Sequence, residues 1–267
     1  MDMDVFALAE ACIVATSVED KLARSSEAAA LIAIGDFATE TSAWPEPIAQ
    51  PGRPSRPRLV PPRELPQRGL GSADGRAALV HAVAHIEFYA IDLAWDAVYR
   101  FREMPREYYR DWAQVADDET RHFRMLAERL AEMGHAYGDF DAHNGLWEMA
   151  VKTSGSCLER MALVPRVLEA RGLDVTPGMI ARLREVGDAR TVDILEVILC
   201  EEVAHVAAGS RWLAWCCDRE GVDLEATFAR LIAIHGAVVK PPFNASARRA
   251  AGFSVKELEC LAARSAA

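Results

Sequence analysis

The sequence has little of what marks exported or membrane-spanning proteins. No run of 18 apolar residues occurs, and the first residues, MDMDVFALAEACIVA, are acidic where a signal peptide would be positively charged. The six cysteines form no C-x-x-C pair and fall mostly in helical patterns, where a thiol usually behaves as a small buried hydrophobe. We therefore expect a cytoplasmic protein with reduced cysteines and no membrane partner.

Positive charge and strand-forming patterns are also scarce. The 30 Lys and Arg residues are outnumbered by 40 Asp and Glu residues, which gives a formal net charge of -10. This balance argues against broad, non-specific binding of nucleic acid, although a local basic patch is compatible with it. Because 51% of the 267 residues are hydrophobic and strand signals are almost absent, we predict an all-α protein with one main domain and a large core.

Three regions lie outside the predicted main domain. Residues 1–42 contain one or two alanine-rich helices that we expect to pack on it, and residues 221–267 form a C-terminal helical extension. Residues 43–75 are rich in proline, which excludes regular helix and central strand and favours extended, polyproline-like chain. We interpret this segment as an ordered strap rather than a flexible linker, because apolar residues such as Leu59 and Leu65 would anchor it.

The main domain, residues 76–220, contains four long amphipathic helical patterns separated by turn and cap signals. Gly134 ends the second pattern, and Gly172 is expected to cap the end of the third. A short helix starting at Thr176 and Pro177 is expected to lead into the fourth. The arrangement predicts a four-helix bundle with helices over residues 76–103, 106–133, 144–171 and 188–219.

Two of these helices carry the motif Glu-x-x-His on an apolar face. In the stretch VADDETRHFRMLAERL, Glu119 and His122 share a helical face with Val115 and with leucines further along. In the fourth helix, Glu202 and His205 repeat this spacing on the inward stripe. Ionisable groups in a core stripe need a partner, because burying a charge without one is costly.

The other two helices each place a single glutamate in the apolar stripe. Glu87 precedes Glu119 by 32 residues, and Glu169 precedes Glu202 by 33 residues, so the two helix pairs match. Such a set is the ligand pattern of di-iron and di-manganese carboxylate bundles. Carboxylates can bridge two cations and balance their charge, while imidazole suits iron. The pattern predicts two iron ions, with manganese as an alternative, bound by Glu87, Glu119, His122, Glu169, Glu202 and His205.

Each part of this pattern has a simpler explanation that must be weighed. A single Glu-x-x-His on a helix is usually a surface pair, and a polar core can be purely structural. Two copies on apolar faces, each matched with an upstream glutamate, favour metal. His81 and His85 lie near Glu87 but off the centre line of its apolar stripe. We therefore expect them to cap the helix or to support the ligands rather than to bind metal directly.

The glutamate of the third helix has a competitor. Glu169 would lie three residues before the expected helix end at Gly172, where the helix dipole disfavours a carboxylate. Glu159 avoids that problem, but it lies 43 residues before Glu202 and beside polar residues. The spacing favours Glu169 and leaves Glu159 as the alternative.

Arginines are concentrated in the strap, and two more follow each other in the C-terminal extension. If the substrate is an RNA, they could form a local phosphate-binding surface. The alternative is that they are solvated or paired with the acidic body of the protein. These residues are Arg53, Arg56, Arg58, Arg63, Arg68, Arg248 and Arg249.

Several blocks also resemble a known family. HAVAHIEFYAIDLAWDAV, DWAQVADDETRHFRMLAERLAEMGHAYGDFDAHNGLW, LEARGLDVTPGMIARLREVGD and EEVAHVAAGSRW resemble the ferritin-like family catalogued as domain of unknown function 455, kin to di-iron tRNA hydroxylases that act on isopentenylated adenosine. The resemblance runs from the strap to about residue 250. It implies a ferritin-like bundle with the same six residues at the metal positions, and the block LEARGLD favours Glu169 over Glu159. PPFNASARRAAGF also resembles a family segment, one without an assigned role.

The resemblance and the ligand pattern together predict a di-iron carboxylate oxidoreductase. Its reduced metal pair would activate O2 and hydroxylate or oxygenate an organic substrate. The expected partners are O2, an external electron donor and a small-molecule or RNA substrate, such as a modified tRNA nucleoside. A homodimer is compatible with the sequence. The alternative function is a ferroxidase or iron-handling ferritin-like protein without an organic substrate.

Overall fold

The described part of the chain is mostly helical. The computed structural model describes residues 3–35, 37–39, 44–236 and 239–265, and within them it confirms the predicted all-α class. Packing divides the chain into two compact units, Met1–Val151 and Lys152–Ala267. The four-helix bundle predicted over residues 76–220 takes its helices from both units and stays a prediction.

The first unit contains a short parallel strand pair, the N-terminal helices and the first two of the four predicted long helices. Its elements are β1 (Met3–Asp4), α1 (Val5–Ile13), α2 (Val18–Ile34), β2 (Phe37–Ala38), α3 (Ala73–Arg100), α4 (Arg106–Glu132) and α5 (Gly145–Lys152). Helices α3 and α4 pack extensively against each other and match the first two predicted helices within three residues at each end. The predicted inward stripe of α3, from Val80 to Val98, is buried.

Helix α2 fixes the positions of α3 and α4. The hydroxyl of Ser25 accepts hydrogen bonds from Trp95 Nε1 on α3 at 2.8 Å and from Thr120 Oγ1 on α4 at 3.0 Å. Lys21 is fully buried, donates to two carbonyls at the end of α1 and forms an ion pair with buried Asp92 on α3. One polar residue per turn of α2 therefore ties the N-terminal helices to the core.

The proline-rich segment lies against the rest of the first unit through backbone hydrogen bonds. Val60 N–H donates to the Ala142 carbonyl at 2.8 Å, and Ala142 N–H donates to the Arg58 carbonyl at 3.0 Å. Trp147 on α5 donates from Nε1 to the Ala49 carbonyl at 3.0 Å. The part of the segment that the structure describes is thus held at several points, as expected of a strap.

Helix α3 is long and apolar enough to cross a membrane by composition alone. However, 78% of its most apolar stretch is buried inside the protein, which is typical of a core helix. Within the described ranges, no other helix meets the same criterion.

The second unit consists of helices of very different lengths. They are α6 (Cys157–Leu163), a π-helix (Val164–Glu169), α7 (Ala170–Glu185), α8 (Ala189–Glu220), α9 (Leu224–Ile234), α10 (Ala245–Ala250) and α11 (Val255–Ser265). Asp188 caps α8 by accepting a hydrogen bond from Thr191 N–H at 3.1 Å, as the sequence predicts.

The limits predicted for the third long helix, residues 144–171, are wrong. A turn at residues 153–155 separates α5 from α6, and the helix then continues through the π-helix as far as Glu185. Gly172 lies inside α7 rather than at its end, and Thr176 and Pro177 continue α7 rather than start a new helix.

A hydrogen bond from a residue that is distant in sequence explains why α7 continues through a proline. Proline usually stops a helix, because its nitrogen cannot donate to the carbonyl four residues earlier. For Pro177 that carbonyl belongs to Leu173, and it accepts a hydrogen bond of 3.2 Å from Nδ2 of Asn244. The C-terminal extension thus supplies the donor that the helix lacks, which no pattern within α7 could reveal.

Candidate metal centre

The two central helices of the first unit bring three predicted ligands together. Glu87 projects from α3, and Glu119 and His122 project from neighbouring turns of α4. His122 Nδ1 lies 3.3 Å from Glu119 Oε2 and 3.4 Å from Glu87 Oε2. One ligand atom from each residue lies within 4.8 Å of the other two, and all three side chains are buried. We call Glu87, Glu119 and His122 the first triad.

Burial and mutual charge change the proton affinity of the first triad. Burial raises the pKa of Glu87 well above its usual value, and the nearby Glu119 carboxylate raises it further. Burial alone would lower the pKa of His122, but hydrogen bonds to Glu119 and Glu87 raise it to about 11. Without metal, His122 therefore retains its proton at neutral pH. A metal ion bound through the imidazole would have to displace this proton.

Three aromatic rings pack together between α3, α4 and the loop that follows α4. Phe88 and Phe123, which adjoin Glu87 and His122 in sequence, have their ring centroids 5.2 Å apart. The ring of Tyr137 lies 5.2 Å from that of Phe88 and 5.0 Å from that of Phe123. This apolar cluster shields the triad's helices from water on the side of this loop.

The two histidines that flank Glu87 hold this loop on α3. His85 Nε2 donates to the carbonyl of His143 at 2.9 Å, so its Nδ1 accepts from the Tyr137 hydroxyl at 3.0 Å. His81 Nε2 accepts from the Gly138 N–H at 2.9 Å. Burial lowers the pKa of each histidine to about 4, so both are neutral. Their bonds give them the role of loop anchors.

The second unit carries the other three predicted ligands. On α8, His205 Nδ1 lies 3.0 Å from Glu202 Oε2, and both residues are buried. A methyl group added at Gly172 of α7 would lie 4.0 Å from Glu202 Cγ, so this turn of α7 faces Glu202. Glu169 lies three residues before Gly172, on the same helical face, and its Oε2 is shielded from solvent. We call Glu169, Glu202 and His205 the second triad.

Helix α8 approaches the π-helix very closely one turn after His205. A methyl group added at Gly209 would lie only 2.3 Å from Cγ of Pro165, so no side chain fits there without a shift. Pro165 is the second residue of the π-helix, which ends at Glu169. The absence of a side chain at Gly209 therefore sets the distance between the two elements that carry the second triad.

The competing glutamate of the third helix has a different partner. Glu159 is about one-third exposed, and its Oε2 lies 3.3 Å from His235 Nε2. Its position is thus explained by a surface ion pair on α6 and α9. We still predict Glu169 as the ligand from the third helix. That both triads form one metal centre also stays a prediction.

Sequence reasoning found the acidic and imidazole residues but missed what supports them. Tyr137 and the close approach at Gly209 were not predicted, and Gly172 was expected to end a helix rather than to face Glu202. A signal for Gly209 was available, because a glycine in a buried helical stripe usually marks a close approach. The neighbour of that glycine, Pro165, could not be inferred from spacing.

The predicted arginine surface is only partly accessible. Arg248 is buried and bound to Asp174, so its inclusion in a phosphate-binding surface was wrong. Arg58 pairs with Asp141, and Arg68 lies 4.9 Å from the ring of Phe140. That the remaining arginines form a local basic surface stays a prediction.

Comparisons with known proteins place the chain in a family. The profile of the family described as "Protein of unknown function (DUF455)" matches residues 14–259. A protein of Haemophilus influenzae (strain ATCC 51907 / DSM 11121 / KW20 / Rd), described as uncharacterized, is 42% identical over 214 residues, which cover 77% of this chain and 74% of that relative. No solved structure matches. The chain belongs to the DUF455 family.

Proposed function

We propose that this protein is a di-iron carboxylate oxidoreductase that uses O2 to hydroxylate or oxygenate an organic substrate. The proposal assigns both triads to one centre of two iron ions. The ferritin-like bundle that would hold this centre, and an external electron donor, are parts of the same proposal.

The observation that carries the proposal is the first triad. Two carboxylates and an imidazole converge within 4.8 Å in the protein interior, on two helices whose buried faces are mostly apolar. Such a group is costly to bury as a purely structural feature, whereas a divalent cation would balance its charge. Oxygen and imidazole nitrogen ligands are the donors that iron and manganese accept. The donor set therefore fits iron.

The repetition of the motif supports a pair of metal ions. The second triad has the same composition as the first, two glutamates and one histidine, with the same Glu-x-x-His spacing on α8 as on α4. Four carboxylates and two histidines from four helices form the ligand set of di-iron and di-manganese bundles. When bound, a reduced iron pair would supply the electrons that activate O2.

The chain's own residues supply binding, charge balance and exclusion of water. The glutamates would neutralise the cations, and the histidines would each donate one ring nitrogen. The rings of Phe88, Phe123 and Tyr137 would keep bulk water from the first triad. Exclusion of water would limit side reactions during oxidation of the substrate.

Metal counting tests the proposal. Protein reconstituted anaerobically with Fe2+ and then desalted should retain about two iron ions per chain. Glu119→Gln should lose most of this iron, because it replaces a charged ligand with a neutral amide. The matched control is Glu128→Gln on the same helix, where the side chain is exposed; it should retain the wild-type amount. Trace iron in the wild type would refute the proposal.

A second measurement separates oxidation of an organic substrate from iron handling. An oxidoreductase should consume little O2 beyond oxidation of its bound iron until a substrate and an electron donor are added. A ferroxidase or iron-storing protein should instead consume O2 in proportion to added Fe2+, over many equivalents per chain. The second result would replace the oxidoreductase with the iron-handling function.

A further inference from the structure

The segment of residues 241–253, PPFNASARRAAGF, makes a concentrated set of contacts with the start of α7. Arg248 donates from Nε to Asp174 Oδ1 at 2.9 Å and from Nη2 to Asp174 Oδ2 at 2.7 Å, and both side chains are buried. The N–H of Asn244 also donates to Asp174 Oδ1, at 2.9 Å, and its Nδ2 donates to the Leu173 carbonyl. From the helix side, Arg171 Nη1 donates to the Pro242 carbonyl at 3.3 Å.

The same segment also reaches the π-helix and α8. The guanidinium of Arg166, within the π-helix, lies 4.1 Å from the ring of Phe253 and donates to Glu257 Oε1 at 2.9 Å. Ser210 of α8, which follows Gly209, donates from its hydroxyl to the Ala251 carbonyl at 2.6 Å. Contacts therefore fix the chain on both sides of Glu169, the last residue of the π-helix.

These contacts matter because a π-helix is the less stable register. Its hydrogen bonds span five residues rather than four, and such turns are rare outside functional sites. If the segment from Val164 to Glu169 relaxed into an α-helix, every later residue would rotate by about 100° around the axis. Asp174 would then no longer face Arg248. The bidentate pair thus selects the π register.

We propose that residues 241–253 form a clamp whose Arg248–Asp174 pair and Asn244 position Glu169 for metal. The clamp holds α7 in the register that turns Glu169 toward the α8 face bearing Glu202. Asn244 contributes by satisfying the carbonyl that Pro177 leaves without a helical donor. This inference rests on the proposed metal function, and Arg248, Asp174 and Asn244 act through Glu169 rather than on the metal itself.

The test compares two lysine substitutions at buried arginines of the same unit. Arg248→Lys keeps the charge but loses the two-pronged bond to Asp174. The matched control is Arg160→Lys on α6. Arg160 donates from Nε to Thr153 Oγ1 at 2.7 Å, and both residues precede the π-helix in the chain. Metal-free full-length proteins would be titrated with Co2+ alone and followed by visible absorption, which reports both affinity and ligand geometry.

We expect Arg248→Lys to bind one of two Co2+ equivalents about 10- to 100-fold more weakly, the usual effect of losing support behind a ligand. Its Co2+ spectrum should change, while Arg160→Lys should match the wild type in both respects. Amide hydrogen exchange of the metal-free proteins should be faster at residues 164–174 in Arg248→Lys only. If Arg248→Lys does not fold, Asn244→Ala serves as the test variant, with a smaller loss in the same direction.

The outcomes distinguish this inference from the proposed function. A wild type that binds no Co2+ would overturn the metal function and the positioning role together. Normal wild-type binding, with unchanged affinity and spectrum in a folded Arg248→Lys protein, would overturn the positioning role alone. Equal losses in Arg248→Lys and Arg160→Lys would also overturn it, because they would indicate general loosening of the unit.

Discussion

At the residue scale, two polar groups among the described residues of the first unit have different explanations. The first triad combines two carboxylates with one imidazole, and a metal could replace the proton that His122 retains. Lys21 and Asp92 form a separate pair of opposite charges that needs no metal.

The pair of Lys21 and Asp92 should make stability depend on pH. Burial raises the pKa of Asp92 from 3.8 to about 7, although Lys21 lowers it. The folded state therefore binds the Asp92 proton more tightly than the unfolded state. This contribution to stability is complete below about pH 4 and is lost as the pH rises through 7.

Denaturant titrations of the metal-free protein check this prediction. Relative to Asp92→Asn, the wild type should lose free energy of unfolding between pH 4 and 7, by at most about 1.4 kcal/mol per pH unit. The control is Asp193→Asn at an exposed position of α8, which should follow the wild type at every pH. A constant difference between wild type and Asp92→Asn would contradict the assigned pKa.

The choice between Glu169 and Glu159 can be made by substitution. Glu169→Ala should remove one carboxylate from the metal centre, so iron per chain should fall and the ferric absorption should weaken. Glu159→Ala should lose only a surface pair with His235, so its iron content should stay normal and its stability should change by less than about 1 kcal/mol. Normal iron in Glu169→Ala, with a loss in Glu159→Ala, would move the site to the middle of the third helix.

At the scale of elements, the π-helix and its contact with α8 are the distinctive feature of the second unit. The π-helix contains Pro165 and ends at Glu169, and Gly209 lets α8 approach Pro165 closely. Side chains that would normally space the helices are absent at that point. The position of Glu169 relative to Glu202 therefore depends on the packing of the Pro165 ring against the backbone at Gly209, as well as on the proposed clamp.

Alanine substitutions at two glycines test this contact. Alanine normally stabilises a helix interior by about 1 kcal/mol over glycine, and Gly178→Ala in α7, where the added methyl group meets nothing within 4 Å, should show that gain. Gly209→Ala should instead lower the free energy of unfolding by about 1–3 kcal/mol, because the methyl group overlaps Pro165. Thermal unfolding of both variants measures the difference, and a stabilised Gly209→Ala protein would contradict the close packing.

Elements with strong periodicity and clear caps were predictable from the sequence. The stripes of α3 and α4, the cap of α8 at Asp188 and the burial of Glu87, Glu119 and His122 all follow from local patterns. The extent of α7 did not, because Pro177 is tolerated through a bond from Asn244. The π-helix was also missed, since its register is set by contacts distant in sequence.

At the scale of the whole molecule, the chain presents one triad in each of its two units. The triads share composition and the Glu-x-x-His spacing, and the separations of 32 and 33 residues repeat between the halves. This repetition is the reason why the sequence predicts the six residues as one ligand set. Our central proposal is therefore that the six residues bind two iron ions in a single centre.

The most direct test of that claim is a crystal structure of the iron-loaded protein with anomalous diffraction recorded on either side of the iron absorption edge. We expect two iron peaks per chain, with Glu87, Glu119 and His122 bound on one side and Glu169, Glu202 and His205 on the other. An absence of peaks, or peaks bound only by residues outside the two triads, would contradict it.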